Sequence, residues 1–403
     1  VFLRTELDSG LVAAMLIGNL PVAWFQMIDD WNNNRRHDPD EHYEEFPCEL
    51  FLMDLNGIWE DNYVRYDTLD SLIPGNDGIY DTHYGSLEPE IGLARLPVST
   101  VGRADSLLRL YLSRCHRWRG GNLPVTDRAL VYIDDDWVPS APEWDAEVGM
   151  LYPVRISIWD EEITRVADYR PRIDTAAYQW IALCAHSWPG GHAMKYAGGT
   201  RWDWFYANTI PALNPEACFY NLFACSNVRF TETGYCGGTY VFRTATGLAA
   251  IGSTKTGSML EFQDFYLPLA DGLPLALAFR EWFYWRTADG IEPWERSWFY
   301  GMTLIGDGML KPRVPTGTRE EYDLAGTPMR ATRVSGNIFI TNLSHDSRCW
   351  LFDKTGRMVR QLQAGSNDVS ALPAGIYFIQ ITAGITTTVS PVVLTGHTTP
   401  HSY

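Results

Sequence analysis

Short apolar runs alternate with helical stretches along most of the chain, and this alternation restricts the fold more than any other feature of the sequence. Each run is four to eight residues long, which suits a buried strand better than a helix. Segments outside these runs, such as 105–118 and 273–285, repeat apolar residues at helical intervals. Strands that are apolar throughout and separated by helices form a mostly parallel sheet covered on both faces. The seven runs are 12–17, 49–53, 90–96, 128–133, 180–185, 218–224 and 247–252.

The chain changes character after Pro312. Residues 313–335 are polar and contain several Pro and Gly, which is typical of a linker. Residues 336–394 contain short alternating strands separated by turn residues, which predicts a small antiparallel β-sandwich, and 395–403 form a tail. We divide the preceding α/β part into a first subdomain, 1–122, and a second, 123–312. The sequence begins in what reads as mid-helix, so we expect residues to precede Val1.

Charge and composition exclude several functional classes. The formal charge is −17 at pH 7, with 49 acidic and 32 basic side chains, so we expect binding neither to nucleic acid nor to an anionic membrane surface. No apolar run approaches the roughly 20 residues of a membrane span. The seven cysteines show no spacing typical of a zinc site, and their odd number leaves at least one thiol without an intrachain disulfide.

Three predicted strands of the second subdomain end in residues capable of chemistry. These residues are Asp136, His186 and Cys225. Ligands of parallel sheets bind at the carboxyl ends of strands, where these side chains would meet. A thiolate is a nucleophile, an imidazole can exchange its proton with a leaving amine, and a carboxylate can orient the imidazole. The alternative is structural: an inert core thiol, a surface histidine bonded to its neighbours, and a solvated acidic loop.

Segments in the same order along the chain resemble the gingipain family of cysteine peptidases, in the wider caspase–legumain–gingipain clan. They are 15–19, 89–96, 129–141, 183–187, 221–227, 247–254 and 302–310. The resemblance implies a caspase-like α/β fold and a secreted or cell-surface bacterial endopeptidase that acts on proteins or peptides. It implies Cys225 as nucleophile, His186 as acid–base and Asp136 behind it, without a required cofactor. Backbone N–H groups of Ser187 and Cys225 would form the oxyanion hole, although Ser187 stands where the family has Gly. His192 is a rival base.

The resemblance also indicates where specificity would be determined. Glu147, with Asp145 nearby, aligns with the acidic residue that pairs with a substrate cation in Arg-specific members. Lys255 and Met259 lie on the opposing loop. A lysine there would favour acidic or small substrate side chains, so the preference stays open.

Two acidic turns suggest a structural calcium site. Asp54 and Asn56 lie in one, and Asp77 and Asp81 in the other. Carboxylate and amide oxygens next to a turn glycine suit a hard cation, although neither turn completes an EF-hand loop. The alternative is a pair of acidic turns without metal.

The C-terminal segment 336–394 resembles the sorting domain of type IX secretion, which implies the secretion machinery as a partner, although the usual basic ending is missing. Two other functions remain open. One is a peptidase homologue that binds without cleaving. The other is a glycan-processing enzyme, suggested by the 16 Trp, which would need two carboxylates flanking a cleft.

Overall fold

A computed structural model describes residues 2–7, 9–34, 38–64, 73–288, 290–313, 332–334, 337–340, 347–354, 357–363, 365–373, 375–383 and 386–394. The chain divides into two compact units, Val1–Thr318 and Arg319–Tyr403. No helix within these described ranges combines the length and the apolar composition needed to cross a membrane.

The first unit contains seventeen strands and ten α-helices in its described part. The strands are β1 (Ala13–Ile17), β2 (Trp24–Ile28), β3 (Tyr43–Pro47), β4 (Ile58–Glu60), β5 (Tyr63–Val64), β6 (Ile73–Pro74), β7 (Thr82–Tyr84), β8 (Gly92–Leu96), β9 (Ala129–Ile133), β10 (Arg155–Ile158), β11 (Tyr178–Cys184), β12 (His186–Trp188), β13 (Gly191–Tyr196), β14 (Arg201–Tyr206), β15 (Ala217–Phe223), β16 (Ala249–Ser253) and β17 (Met302–Gly306). The helices are α1 (Phe2–Leu7), α2 (Leu50–Met53), α3 (Ala104–Arg119), α4 (Ala141–Leu151), α5 (Val166–Thr175), α6 (Ile210–Leu213), α7 (Cys236–Phe242), α8 (Gln263–Ala270), α9 (Leu275–Thr287) and α10 (Pro293–Phe299).

One eight-stranded sheet, flanked by helices, organises this unit. Its order is β1-β8-β17-β16-β15-β11-β9-β10, and every neighbouring pair is parallel except β16 with β17. The prediction of a mostly parallel α/β sheet is therefore confirmed. Its inner strands are buried along their whole length, as the continuous apolar runs require.

Two details differ from the sequence prediction. The run 49–53 was predicted as a strand, but Leu50–Met53 is the short helix α2, which buries Leu50 and Met53 three residues apart. The parts predicted as separate subdomains, 1–122 and 123–312, share one sheet in one compact unit, because β17 lies between β8 and β16.

A three-stranded antiparallel sheet, β12-β13-β14, leaves the carboxyl end of β11. Strand β12 begins at His186, only two residues after β11 ends. His186 pairs with Ala193 of β13, which pairs with Trp204 of β14. The chain therefore turns directly from the central sheet into a second sheet that carries the candidate histidine.

The C-terminal unit is built of β-strands. They are β18 (Thr332–Val334), β19 (Asn337–Ile340), β20 (Ser347–Asp353), β21 (Met358–Leu362), β22 (Gly365–Asp368), β23 (Gly375–Ala383) and β24 (Thr386–Leu394). A mainly antiparallel sheet has the order β18-β24-β23-β20-β21, and β19 pairs with β22. Ile338 of β19 shares a core with Leu351 and Leu394 of the larger sheet. The predicted strands are confirmed, and β18 lies inside the segment predicted as linker. The rest of that linker after residue 313, and the tail 395–403, lie outside the described residues.

Candidate active site

The predicted nucleophile and its predicted base emerge side by side from the central sheet. Strands β11 and β15 are parallel neighbours, and their last pair is Cys184 with Phe223. Two residues beyond that pair, the chains reach His186 and Cys225. The hydroxyl of Ser187 donates a hydrogen bond to the backbone carbonyl of Cys225. The two candidate residues therefore lie at the same edge of the sheet, in equivalent positions on adjacent strands.

Cys225 differs from every other cysteine of the chain. All seven cysteines are free, six of them are buried, and only Cys225 is partly exposed. It is thus the one thiol in a position to react with a dissolved substrate.

A carboxylate holds the imidazole of His186. Its Nε2 lies 2.7 Å from Oδ2 of Asp136, which also accepts hydrogen bonds from Nζ of Lys195 at 2.8 Å. Burial acts to raise the pKa of Asp136, but the hydrogen bonds and charges of Lys195 and His186 outweigh it and hold that pKa below its usual value. The Trp202 ring packs against the imidazole in a T-shaped arrangement, with ring centroids 5.0 Å apart. The structure therefore brings Asp136 and His186 together as the sequence predicted.

Asp134, which was not predicted as a site residue from the sequence, hydrogen-bonds to the backbone of three residues of the same site. It is fully buried, and its carboxylate accepts from the backbone N–H groups of Asp136 (3.3 Å), His186 (3.4 Å) and Lys195 (3.3 Å). Burial raises its pKa to about 7, against the opposing effect of these backbone donors. Its position directly after the buried strand β9 was the available sequence signal, since acidic side chains are almost never fully buried unless they are paired.

The residue after Cys225 has an unusual backbone conformation. Ser226 has φ of 53°, a left-handed conformation that costs a non-glycine residue roughly 1–3 kcal/mol. Its N–H donates to the carbonyl of Lys255 at 2.7 Å. The strand therefore ends in a sharp turn that is fastened to the loop after β16.

That loop also determines the surroundings of the thiol. Burial raises the pKa of Cys225, and the Gly257 N–H and the Lys255 charge oppose this without reversing it. A side chain at Gly257 would place its Cβ 2.7 Å from the carbonyl oxygens of Ser297 and Trp298, and φ there is 117°. Only glycine fits this close approach, and it lets the loop reach the sulfur.

The predicted specificity residues are not on an open surface. Met259 and Lys255 are fully buried, so neither presents an exposed group to a substrate, contrary to the expected lining of a pocket. Asp145 pairs with Arg155 at 2.6 Å. Glu147 is 6% exposed, and burial raises its pKa to about 7. Of the two predicted acidic residues, Glu147 is the one whose carboxylate forms no ion pair with the residues that the structure describes. It accepts a hydrogen bond from the backbone of Gln263.

His192 has no access to a substrate. It is fully buried, and burial lowers its pKa to about 3. Its Nε2 lies 3.5 Å from Sγ of Cys236 and 3.3 Å from the hydroxyl of Tyr240. The rival base suggested by the sequence is therefore a neutral core residue.

The acidic turns are ordered by hydrogen bonds within the protein. Oδ2 of Asp54 lies 2.7 Å from Nε2 of the buried His83, and its Oδ1 accepts from the backbone of Asn56. Asp77 accepts from the backbone N–H of residue 79, and Asp81 from those of residues 62 and 63. In the part of the chain that the structure describes, no three His, Cys, Asp or Glu side chains group as metal ligands. Calcium binding stays a prediction.

Two surface cavities are lined by other parts of the first unit. One, of about 590 Å³, is lined by residues 157–163 after β10, and the other, of about 410 Å³, lies between β2 and the start of α10. Neither is lined by Cys225 or His186.

Comparison with known proteins does not identify a family for this chain. No protein-family model matches the chain, and no curated protein matches it.

Proposed function

We propose that this protein is a secreted cysteine endopeptidase of the gingipain type, with a caspase-like catalytic unit. The observation that carries the proposal is that the one partly exposed thiol and a carboxylate-held imidazole follow adjacent parallel strands at the same edge of the sheet. In this proposal Cys225 is the nucleophile, His186 the acid–base and Asp136 the residue that orients it.

The raised pKa of Cys225 determines how the reaction would begin. The resting thiol would be protonated at neutral pH, so His186 would accept its proton as sulfur attacks the peptide carbonyl. His186 would then give that proton to the leaving amine as the C–N bond breaks, and would activate water to hydrolyse the thioester. The N–H groups of Ser187 and Cys225 are the proposed oxyanion donors. The hydroxyl of Ser187 donates to the Cys225 carbonyl and so ties these two residues together.

The C-terminal unit is proposed as a sorting module for secretion. Its own core of Ile338, Leu351 and Leu394 supports a domain that is independent of the chemistry.

The test is cleavage of a peptide library by purified protein. Cys225→Ala should abolish cleavage, and Cys184→Ala is the matched control, since it removes a buried thiol from the neighbouring strand. Cleavage that persists in Cys225→Ala would rule out the assignment.

The second candidate is a homologue that binds peptides without cleaving them. The raised thiol pKa and the serine at position 187 favour it. An acyloxymethylketone probe separates the two functions, because an active dyad labels Cys225 under mild conditions and an inactive one does not.

A further inference from the structure

Strand β14 presents a row of aromatic side chains to solvent. Trp202, Trp204 and Tyr206 are 40%, 52% and 54% exposed. Alternate residues of a strand point to the same face, so the three side chains share one face. In the part of the chain that the structure describes, only Phe2 and Tyr84 are other aromatic residues with comparable exposure. Such clustering on one strand requires an explanation beyond chance exposure.

The exposed face of β14 is continuous with the candidate active site. Across the three strands, Trp204 lies beside Ala193, which lies beside His186. Residues directly opposite in antiparallel strands share a face, so His186 and the β14 aromatics project to the same side. Ring centroids of Trp202 and His186 are 5.0 Å apart. At the other end, Tyr206 packs edge-on against Trp188 of β12 at 5.7 Å. We call Trp188, Trp202, Trp204 and Tyr206 the aromatic strip.

Strand β14 packs against the core through its other face, so this packing does not require the side chains of the aromatic strip. Phe205 is 2% exposed and stacks on His192 with ring centroids 5.8 Å apart, and it meets Tyr169 at 5.5 Å. This inward residue anchors β14. Lysine or threonine on the outward face would therefore leave the anchor intact and avoid exposing aromatic surface.

We infer that the aromatic strip binds an extended segment of a polypeptide substrate through two apolar side chains that alternate along it. The inference rests on the proposed peptidase function and names its substrate class. Alternate side chains of an extended peptide are about 6.6 Å apart, the same spacing as alternate residues of β14. A segment on the strip would lead directly to His186.

The polar groups of this face favour an apolar peptide over a carbohydrate. Sugar hydroxyls need hydrogen-bond partners as well as aromatic rings. Lys195 lies 5.3 Å above the Trp202 ring, but its ammonium is already paired with Asp136 at 2.8 Å. Asp203 lies between two strip residues in sequence and so points to the other face. The strip therefore offers mainly apolar contact.

The experiment measures binding separately from cleavage. The full chain carrying Cys225→Ala is titrated with fluorescent peptides that have Leu or Phe at alternate positions, and with the same peptides carrying Ser there. Adding either Trp204→Ala or Tyr206→Ala to this protein should weaken binding of the apolar peptides about tenfold, as expected for a central aromatic contact. Tyr84→Ala removes an exposed tyrosine from the β4–β7 pair and should leave the affinity unchanged. Unchanged melting temperatures would exclude misfolding of the variants.

The outcomes separate the two proposals. Equal affinity of the Trp204→Ala and Tyr84→Ala proteins for apolar peptides would overturn the inference, even if the wild type cleaves them. Strip-dependent binding of oligosaccharides, but not of peptides, would also overturn it in favour of a carbohydrate surface. Strip-dependent peptide binding by a wild type that cleaves nothing would support the strip and refute the peptidase function.

Discussion

Replacing Lys255 by Met should destabilise the protein strongly, and more at alkaline than at acidic pH. Nζ of Lys255 is fully buried, 2.7 Å from Asp29 and 3.0 Å from Glu44, and it also donates to the carbonyl of Ser297 at 2.8 Å. Methionine keeps a long apolar side chain but removes the charge. Two carboxylates would then remain in a desolvated site without their cation.

The size of the effect follows from this burial. Removing one partner of a buried ion pair costs roughly 3–5 kcal/mol. Glu44 is 19% exposed, whereas Asp29 is 1% exposed, so we expect about 3 kcal/mol, near the lower limit. Burial raises the pKa of Asp29 to about 7 even beside Lys255. Burial also acts to raise the pKa of Glu44, and Lys255 is the main reason that it is lowered instead.

The dependence on pH has a definite sign. Without Lys255, both carboxyl pKa values in the folded protein should lie above those in the unfolded chain. The protonated carboxyls are tolerated at low pH, and the loss of stability grows as pH rises through the folded pKa values. The destabilisation by Lys255→Met should therefore be small near pH 5 and large near pH 8.

Urea unfolding followed by tryptophan fluorescence measures this difference. Lys311→Met, at an exposed position, is the control for loss of a lysine. Adding Asp29→Asn to Lys255→Met should restore part of the stability at pH 8, because it removes one unpaired charge. A loss below about 1 kcal/mol at pH 8, or the same loss at both pH values, would refute the reasoning.

Three further predictions concern the candidate site. Asp136→Asn should lower kcat/KM for peptides about 10²-fold, since it weakens the hold on His186, and a fall below twofold would show that the carboxylate does not orient the ring. His192→Phe should retain peptide cleavage, because the pKa of His192 is about 3 and the ring lies in the core; loss of cleavage in a folded variant would return it to the site. Asp134→Asn should reduce the decrease in stability between about pH 5 and pH 8. In the folded wild type the pKa of Asp134 is raised from 3.8 to about 7, so its contribution to stability is present at low pH and is lost as pH rises; a variant whose melting temperatures run parallel to those of the wild type across that range would contradict this.

Much of the fold could be predicted because its signals are local. The run 180–185 has the length and apolar composition expected of a buried strand, and most of it lies in β11. The run 49–53 is also short and mainly apolar, but it forms a helix, because short apolar runs do not distinguish a strand from a helix. Strand β10 was missed because its half-buried residues include Arg155 and Ser157, which interrupt the pattern of a strand buried on both faces.

The features of the site likewise fall into those that local sequence predicts and those that it does not. That Cys225 and His186 follow buried strands is a local property, and the parallel pairing of those strands placed them at the same edge of the sheet. The buried pairing of Lys255 with Asp29 joins residues 226 positions apart, and no local pattern predicts it. The aromatic strip was also missed, because exposure of Trp204 depends on which face of β14 the core covers.

From the amino-acid sequence alone one could predict the alternation of buried strands and helices along much of the first unit, the separate β-rich C-terminal segment, and the chemical groups available at the strand ends. Period, run length and turn residues are properties of neighbouring amino acids and survive without knowledge of the fold. Three features came from the folded structure: β17 joins the two predicted subdomains into one sheet, Cys225 alone among the thiols is partly exposed, and Lys255 forms a buried ion pair with Asp29. These outcomes depend on pairing and burial between distant segments, where the free energy of the whole packed unit decides which groups meet.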